Sequence, residues 1–378
     1  MSSPSSGSPL RLGYVGLSSK GGWASMTQAY TLLDPEVQNH FKLVAVGTTN
    51  PTSASASAEA YTTQFGREIK GYAGDASQIA ESDDVDVVAI SVKSTHHFEI
   101  AKKVIEAGKP FFLEWPAGRN VQETEELAKL AKEKGVRSLI GIQGRQSGVW
   151  RKLKSEIEAG KIGKVYTVAM DVFIPAEFQA WAPATKHSYS YIHDKANGVP
   201  SIVTGLGHII DGLLLAVGPL SRLSARGTTL FPTISILAED GNPTGKTVPS
   251  ILHDHYTVVG TLKNGGGWVT ITFRQGLSAA TPGRRNFSVN IDGDQGTIKV
   301  EGGDLSADPK DVYVNGEQLK VSEAHESVIG FLKSAWLEFA KGKENGGQYP
   351  DIEDALEHRK FCDAIQTSLE NDGVWVDI

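Results

Sequence analysis

The stretch that most constrains this chain is Gly16-Leu17-Ser18-Ser19-Lys20-Gly21-Gly22-Trp23-Ala24, which follows the apolar run Leu10–Val15 directly. A strand feeding a glycine-rich turn that opens a helix is the layout of the dinucleotide fingerprint G-x-G-x-x-G, here with Ser18 at the middle glycine. Gly16 permits a tight turn, and Gly21 permits close approach of helix to strand. The helix N-terminus then offers N–H groups and a positive dipole end to a pyrophosphate. Ser18 adds a hydroxyl and Lys20 a charge. The same residues also read as a ligand-free turn; their place between strand and helix favours the dinucleotide.

The pattern around that turn is strand, helix, strand, helix. Strand candidates are Leu10–Val15, Phe41–Val46, Val85–Val92, Pro110–Leu113 and Ser138–Ile142. Helices Ile100–Ala107 and Val121–Lys134 each stop at a glycine, Gly108 and Gly135. Alternation of this kind predicts an α/β Rossmann domain, a parallel doubly wound sheet, over residues 10–145. Residues 1–9 are polar and Ser/Pro/Gly-rich, and read as a flexible tail rather than a signal peptide. Beyond 145 the pattern changes. A helix (Val149–Ala159) precedes strand-like runs Val165–Phe173, His255–Leu262, Trp268–Phe273, Phe287–Ile291 and Thr297–Val300, separated by turn residues. Ile202–Val217 reads as an apolar helix, Glu323–Lys341 and Ile352–Glu370 as closing helices, and Pro232–Pro249 as a polar loop. Residues 146–378 are thus expected to form an α+β domain with a largely antiparallel open sheet, serving substrate binding and oligomerisation.

Composition narrows the function classes. The net charge is -7 and no block of five basic residues occurs, which argues against direct nucleic-acid binding. A single cysteine, Cys362, cannot form an intramolecular disulfide and fits a reducing compartment, the cytoplasm with the nucleus as alternative. No apolar run approaches the roughly 18 residues of a membrane span. His253-Asp254-His255 sets two histidines on one strand face with no third and fourth ligand in view, so no metal site is expected.

The second strand ends Val46-Gly47-Thr48-Thr49-Asn50, without the acid that holds an NAD ribose. Thr48, Thr49, Asn50 and Ser53 are neutral donors suited to a 2′-phosphate, which puts NADP ahead of NAD. Ordinary turn residues are the other reading.

Four further segments carry a resemblance. Ile90-Ser91-Val92-Lys93-Ser94-Thr95-His96-His97, Glu106-Ala107-Gly108-Lys109-Pro110, Leu113-Glu114-Trp115-Pro116 and Thr204-Gly205-Leu206-Gly207-His208-Ile209-Ile210-Asp211 resemble motifs of the GFO/IDH/MocA oxidoreductases, and Asp351–Leu356 resembles their closing pattern. The likeness runs from about Leu10 to Ile378. Gly21–Ala24, Glu114-Trp115, Gln143-Gly144-Arg145, Asn197-Gly198-Val199 and Gly207-His208 resemble a fungal branch of that family, that of the galactose-gene repressors. A fungal origin is what this implies. The family implies an NAD(P)-dependent oxidoreductase acting on a sugar-like or other small carbonyl or alcohol substrate, and a homodimer or higher oligomer built on the open sheet. The branch implies the alternative, a non-catalytic NADP-binding transcriptional regulator with a protein partner.

By that resemblance, Gly16, Ser18, Lys20, Gly21, Trp23, Thr48, Asn50, Ser53, Ser91, His97, Glu114 and Trp115 are the cofactor-binding candidates. His208, Lys93 and Tyr191 are the catalytic ones. Two family positions depart from the pattern. Trp115 stands where the family's E-K-P motif has lysine, and an indole only stacks and donates one N–H. Thr204 stands where the family has aspartate, and a hydroxyl is no base at neutral pH. Lys93 is either a substitute charge or a solvated surface residue. His208 is either a proton donor or acceptor, or a core histidine. Trp115 is either a stacking platform or core filling. The cluster Tyr189, Tyr191, His193, Asp194 and Lys195 either lines a pocket or forms an exposed loop.

Overall fold

A computed structural model describes residues 8–279, 282, 284–302, 311–321 and 327–378. Residues 1–7 of the expected tail and 323–326 of the expected helix Glu323–Lys341 lie outside these. The chain divides into two compact units, Met1–Gln146 with Ser327–Glu357, and Ser147–Glu326 with His358–Ile378.

The first unit runs β1 (Leu10–Val15), α1 (Trp23–Met26), α2 (Gln28–Leu33), α3 (Pro35–Gln38), β2 (Phe41–Thr48), α4 (Pro51–Phe65), β3 (Lys70–Ala73), α5 (Ser77–Glu81), β4 (Val87–Ile90), α6 (His97–Glu106), β5 (Phe111–Glu114), α7 (Val121–Lys134) and β6 (Ser138–Gly141). These six strands form one parallel sheet in the order β3-β2-β1-β4-β5-β6, the doubly wound order. Strands β4, β5 and β6 are buried along their whole length, as strands covered on both faces must be. Helix α7 starts at Asn120, whose side chain accepts the Glu123 N–H at 2.8 Å, and stops at Gly135 with φ 62°. Edge strand β3 escapes a sequence reading because Lys-Gly-Tyr-Ala has no apolar alternation.

The expected second domain began at 146 and took in everything after it. The fold corrects this, because Ser327–Glu357 returns to the first unit. Its helix, Val328–Lys341, carries the fully buried Trp336, whose ring centroid lies 4.9 Å from Phe41 and 5.4 Å from Phe112. Phe41 and Phe112, at the feet of β2 and β5, leave apolar surface that the returning helix covers.

The second unit runs α8 (Gly148–Glu158), β7 (Val165–Pro175), β8 (Ala184–Lys186), α9 (Gly207–Val217), β9 (Leu220–Thr228), β10 (Thr233–Leu237), β11 (Pro243–Pro249), β12 (His255–Leu262), β13 (Trp268–Leu277), β14 (Phe287–Gly293), β15 (Thr297–Gly302), β16 (Asp311–Val314), β17 (Glu317–Gln318) and β18 (Val376–Asp377). Among the described residues, nine strands join in the order β17-β16-β15-β14-β7-β13-β12-β9-β18, antiparallel except where β7 meets β13. Alternate residues of β7 and β12 face inward and outward, so one side of this sheet carries polar residues such as Thr257 and Thr272.

Pro232–Pro249, expected as a loop, instead folds into the antiparallel pair β10 and β11. Proline ends β11 without loss because β11 is an edge strand, where one side of the backbone has no partner to donate to. Contrary to expectation, Lys195–Val217 is long and apolar enough to span a membrane, with hydropathy 1.5 in its most apolar window. Within that window 72% is buried inside the protein, the position of a core helix.

Candidate functional site

The chain leaves β1 and β4, neighbours at the centre of the first sheet, in opposite directions, which opens a crevice at the carboxyl ends of the strands. Gly16 begins its floor. Its φ is 95°, and a Cβ there would stand 2.0 Å from the Ser91 carbonyl oxygen. The turn therefore passes flush against the loop after β4. Gly21 and Gly22 differ. Their φ values are 103° and 120°, and a Cβ on either meets nothing within 4 Å. Gly21 is thus not the close-packing glycine the motif suggested; Gly16 fills that role, and Gly21 and Gly22 border open space. No side chain caps α1, which starts at Trp23, breaks at Thr27 (φ −125°, ψ −62°) and resumes as α2. A backbone cradle facing open space beside an uncapped helix start fits a pyrophosphate.

Within the turn, Ser18 Oγ accepts the Lys20 N–H at 3.2 Å and Ser57 Oγ accepts the Ser19 N–H at 3.1 Å, while the Lys20 side chain is exposed. At the end of β2, Asn50 Oδ1 accepts the Ser53 N–H at 2.9 Å and caps α4. Its amide N–H groups, the Thr48 and Thr49 hydroxyls and Ser53 surround a 15-residue helix start with no acidic residue in its first turn.

Glu114 ends β5 and is 9% exposed. Its Oε1 accepts from Trp23 Nε1, Gln28 Nε2 and Ser91 Oγ, each at 3.1 Å. Burial raises its carboxyl to about pKa 7, against the lowering pull of those three bonds. Trp23 is 45% exposed, yet its indole N–H is tied to this buried group. Sequence reasoning missed Gln28 and Tyr14, whose hydroxyl lies 2.9 Å from Ser91 Oγ; only the fold brings them to Glu114.

His97 turns inward. Its Nδ1 lies 2.7 Å from the Pro116 carbonyl oxygen and its Nε2 3.0 Å from that of Val92. Burial lowers its pKa while the two carbonyls oppose that. The neutral ring donates its one N–H to one of these carbonyls, tying His97 to the backbone of the loops after β4 and β5, and both ring nitrogens face backbone oxygens rather than a cofactor. Trp115 is 6% exposed, the setting of a packed indole rather than an open platform. Lys93 is exposed on the loop between β4 and α6.

The second unit holds the other candidates. Residues Ile202–Leu206 form a π-helical turn that runs into α9, a local irregularity that recurs at functional sites. Thr204 sits in it with its hydroxyl donating to the carbonyls of Pro200 (3.1 Å) and Val199 (3.4 Å). His208 follows, half-buried, and its Nδ1 is buried with no hydrogen-bond partner among the described residues. Burial and the neighbouring His358 push its pKa down to about 4, with Asp211 opposing. His358, which sequence reasoning also missed, places Nε2 2.8 Å from the Gly207 carbonyl oxygen and Nδ1 3.7 Å from Asp211. Tyr191 lies on the 3-10 turn His187–His193, and burial raises its phenol pKa. Its neighbours have structural partners. His193 Nε2 is 3.1 Å from the Ala180 carbonyl oxygen, Asp194 caps the following turn, and Lys195 pairs with Glu370 at 2.7 Å.

Residues 15–142 match the model of an oxidoreductase family with an NAD-binding Rossmann fold, GFO_IDH_MocA, and residues 149–302 match that of the Gal80p C-terminal domain. The chain is similar to the dehydrogenase aclE of Aspergillus oryzae, 29% identical over 377 residues that cover 96% of each chain. It is also similar to the galactose/lactose metabolism regulatory protein GAL80 of Saccharomyces cerevisiae, 27% identical over 301 residues, 78% of this chain and 67% of that one. A solved super-repressor mutant of Gal80p from Saccharomyces cerevisiae superposes with TM-score 0.84 at 23% identity, over 98% of each chain. A levoglucosan dehydrogenase in complex with NADH and L-sorbose superposes with TM-score 0.73 at 21% identity, again over 98% of each. The chain thus joins a stretch that matches the NAD-binding Rossmann model of the GFO/IDH/MocA oxidoreductases to one that matches the Gal80p C-terminal domain.

Proposed function

We propose that this chain is an NADP-dependent oxidoreductase, with NAD the weaker cofactor, acting on a sugar-like or other small carbonyl or alcohol. The observation that carries the reading is the open cradle at Gly21 and Gly22 beside the uncapped start of α1. Preference for the 2′-phosphate rests on the neutral end of β2 and the positive end of α4 that begins there. Nicotinamide supplies the hydride chemistry when bound. The chain's own work is to bind, orient and move one proton. His208, pushed to about pKa 4, is an uncharged imidazole at neutral pH and offers a lone pair to an alcohol hydroxyl, with its proton uptake in the reaction requiring that pKa to rise when substrate and cofactor bind. Tyr191, held protonated by burial, is a donor in the opposite direction. Lys93 supplies positive charge at the rim of the crevice. The match to a dehydrogenase over 96% of each chain supports this reading.

The test is single-turnover oxidation of NADPH over a panel of aldehydes and ketones. Tight NADPH binding with no turnover on any carbonyl would refute catalysis. One observation favours the second reading, a cofactor-binding regulator of a protein partner. Thr204 spends its hydroxyl on backbone carbonyls and Trp115 is packed away, so two of the three expected reacting groups offer no acid or base. NADP-dependent association with a partner protein, without turnover, would establish it. In either case we place the protein in the cytoplasm, with the nucleus as alternative, as a homodimer joined through the open face of the nine-stranded sheet.

A further inference from the structure

No step proposed above uses the Glu114 carboxyl. Its three donors come from three places: Trp23 from the turn after β1, Gln28 from α2, and Ser91 from the loop after β4. A carboxyl that gathers these lies across the carboxyl ends of β1, β4 and β5, on the floor of the crevice at its switch point. All three donors are neutral, and among the described residues no cation pairs with it. Tyr14, on β1, reaches it only through Ser91. Room for the carboxyl comes from Gly141, where a Cβ would stand 2.4 Å from Glu114 Oε2. The loop after β4 adds the ionisable side chains Lys93, His96 and His97, the first two exposed and the third with its ring nitrogens against the carbonyls of Val92 and Pro116; the loop after β5 adds Arg119, paired with Glu123.

The direction of a bound dinucleotide follows from the fold. The adenosine ribose belongs at the end of β2 and the pyrophosphate at the β1 turn. The nicotinamide half then lies over β4 and β5, the side where Glu114 sits. The oxidised ring carries a positive charge and the reduced ring none, while the phosphates and adenosine are the same in both. A buried carboxylate therefore acts on the difference between the two forms. We infer that Glu114 lets this site distinguish the oxidised from the reduced nicotinamide, with preference for the oxidised form growing as its carboxyl ionises. Burial sets that ionisation at about pKa 7, inside the neutral range. The inference rests on the proposal that a nicotinamide dinucleotide binds this crevice.

The test measures dissociation constants for NADP+ and NADPH separately, by titration calorimetry on the full-length protein, at about pH 6 and about pH 8.5. A one-unit drop in the Glu114 pKa when the cation binds is a tenfold change in relative affinity, so the NADPH-to-NADP+ ratio of dissociation constants should rise roughly fivefold or more across that range. Glu114→Gln keeps the shape and the acceptor and loses the charge, so its ratio should stay flat. Trp23→Phe removes one donor to the carboxylate and should move the transition to higher pH, a readout that does not depend on how well the glutamine variant folds. A flat ratio in the unmodified protein would overturn the inference, and so would an unchanged pH dependence in Glu114→Gln, which would trace the effect to a group other than Glu114. Failure of both forms to bind is a distinct result, which removes the dinucleotide reading itself.

Discussion

Replacing Gly16 and Gly21 singly with alanine separates what a dinucleotide turn needs for folding from what it needs for binding. Both residues have φ near +100°, so both alanines incur the same kind of backbone strain, roughly 1–2 kcal/mol. Only Gly16→Ala also drives its Cβ to 2.0 Å from the Ser91 carbonyl oxygen, a backbone atom fixed in the loop after β4. Relief requires that loop to move, which adds about 1–3 kcal/mol of overpacking. The expected cost is about 2–5 kcal/mol for Gly16→Ala and about 1–2 kcal/mol for Gly21→Ala, a gap of about 1–3 kcal/mol or roughly 2–12 °C in melting temperature. Binding should rank differently. The Gly21 methyl projects into the open space assigned to the pyrophosphate, so Gly21→Ala should fold and lose NADPH affinity at least tenfold. Thermal melts by circular dichroism and NADPH titrations on the two variants provide the check. Equal stabilities would refute the claim that Gly16 marks a backbone contact. Undiminished NADPH affinity in Gly21→Ala would refute the cradle.

Glu114 makes stability depend on pH in an unusual direction. Its folded pKa, about 7, lies above the ordinary value of 4.5, so the folded state holds a proton that the unfolded chain releases between those values. Stability is therefore lost as pH rises from about 4.5 to 7, by about 3 kcal/mol from this group, and urea melts of Glu114→Gln should lack that loss. At Asn50, alanine removes a helix cap and should cost about 1 kcal/mol, whereas aspartate keeps the cap and brings a negative charge to the end of β2. Asn50→Asp should melt like the unmodified protein but lower the NADP-to-NAD affinity ratio about tenfold; an unchanged ratio would count against the 2′-phosphate assignment. Thr272 faces outward on the nine-stranded sheet, its hydroxyl 3.5 Å from that of Thr257. Thr272→Asp should convert the proposed dimer to monomer in light scattering without a large change in melting temperature.

Most of the first domain was legible because strand, glycine turn and helix stop are local signals. Gly16, Gly108 and Gly135 each take the positive φ their places in the pattern require. The motif residues Ser91, His97 and Glu114 lie together at the ends of β4 and β5. What each side chain does there was not legible, because it depends on partners far along the chain. His97 reads as a ligand-facing histidine until both ring nitrogens are seen to face the carbonyls of Val92 and Pro116. Glu114 reads as a cofactor contact, and only the fold shows Trp23, Gln28 and Ser91 converging on it. The hairpin of β10 and β11 was missed because its proline and glycine content mimics a loop; pairing, not composition, makes it a sheet. His358 lies 150 residues beyond His208, and no spacing rule links them.

The helix that completes the first unit carries a consequence for how the chain is made. Trp336 closes the apolar surface over Phe41 and Phe112, yet in the chain it follows the residues of the second unit up to Glu326. Amino-terminal domains commonly fold as they emerge. This one has to wait, with part of its core open to water, until the residues of the second unit through Glu326 have been synthesised. A fragment ending near residue 145 would keep that opening for good, and would be a sticky, incomplete object rather than a free-standing nucleotide-binding domain.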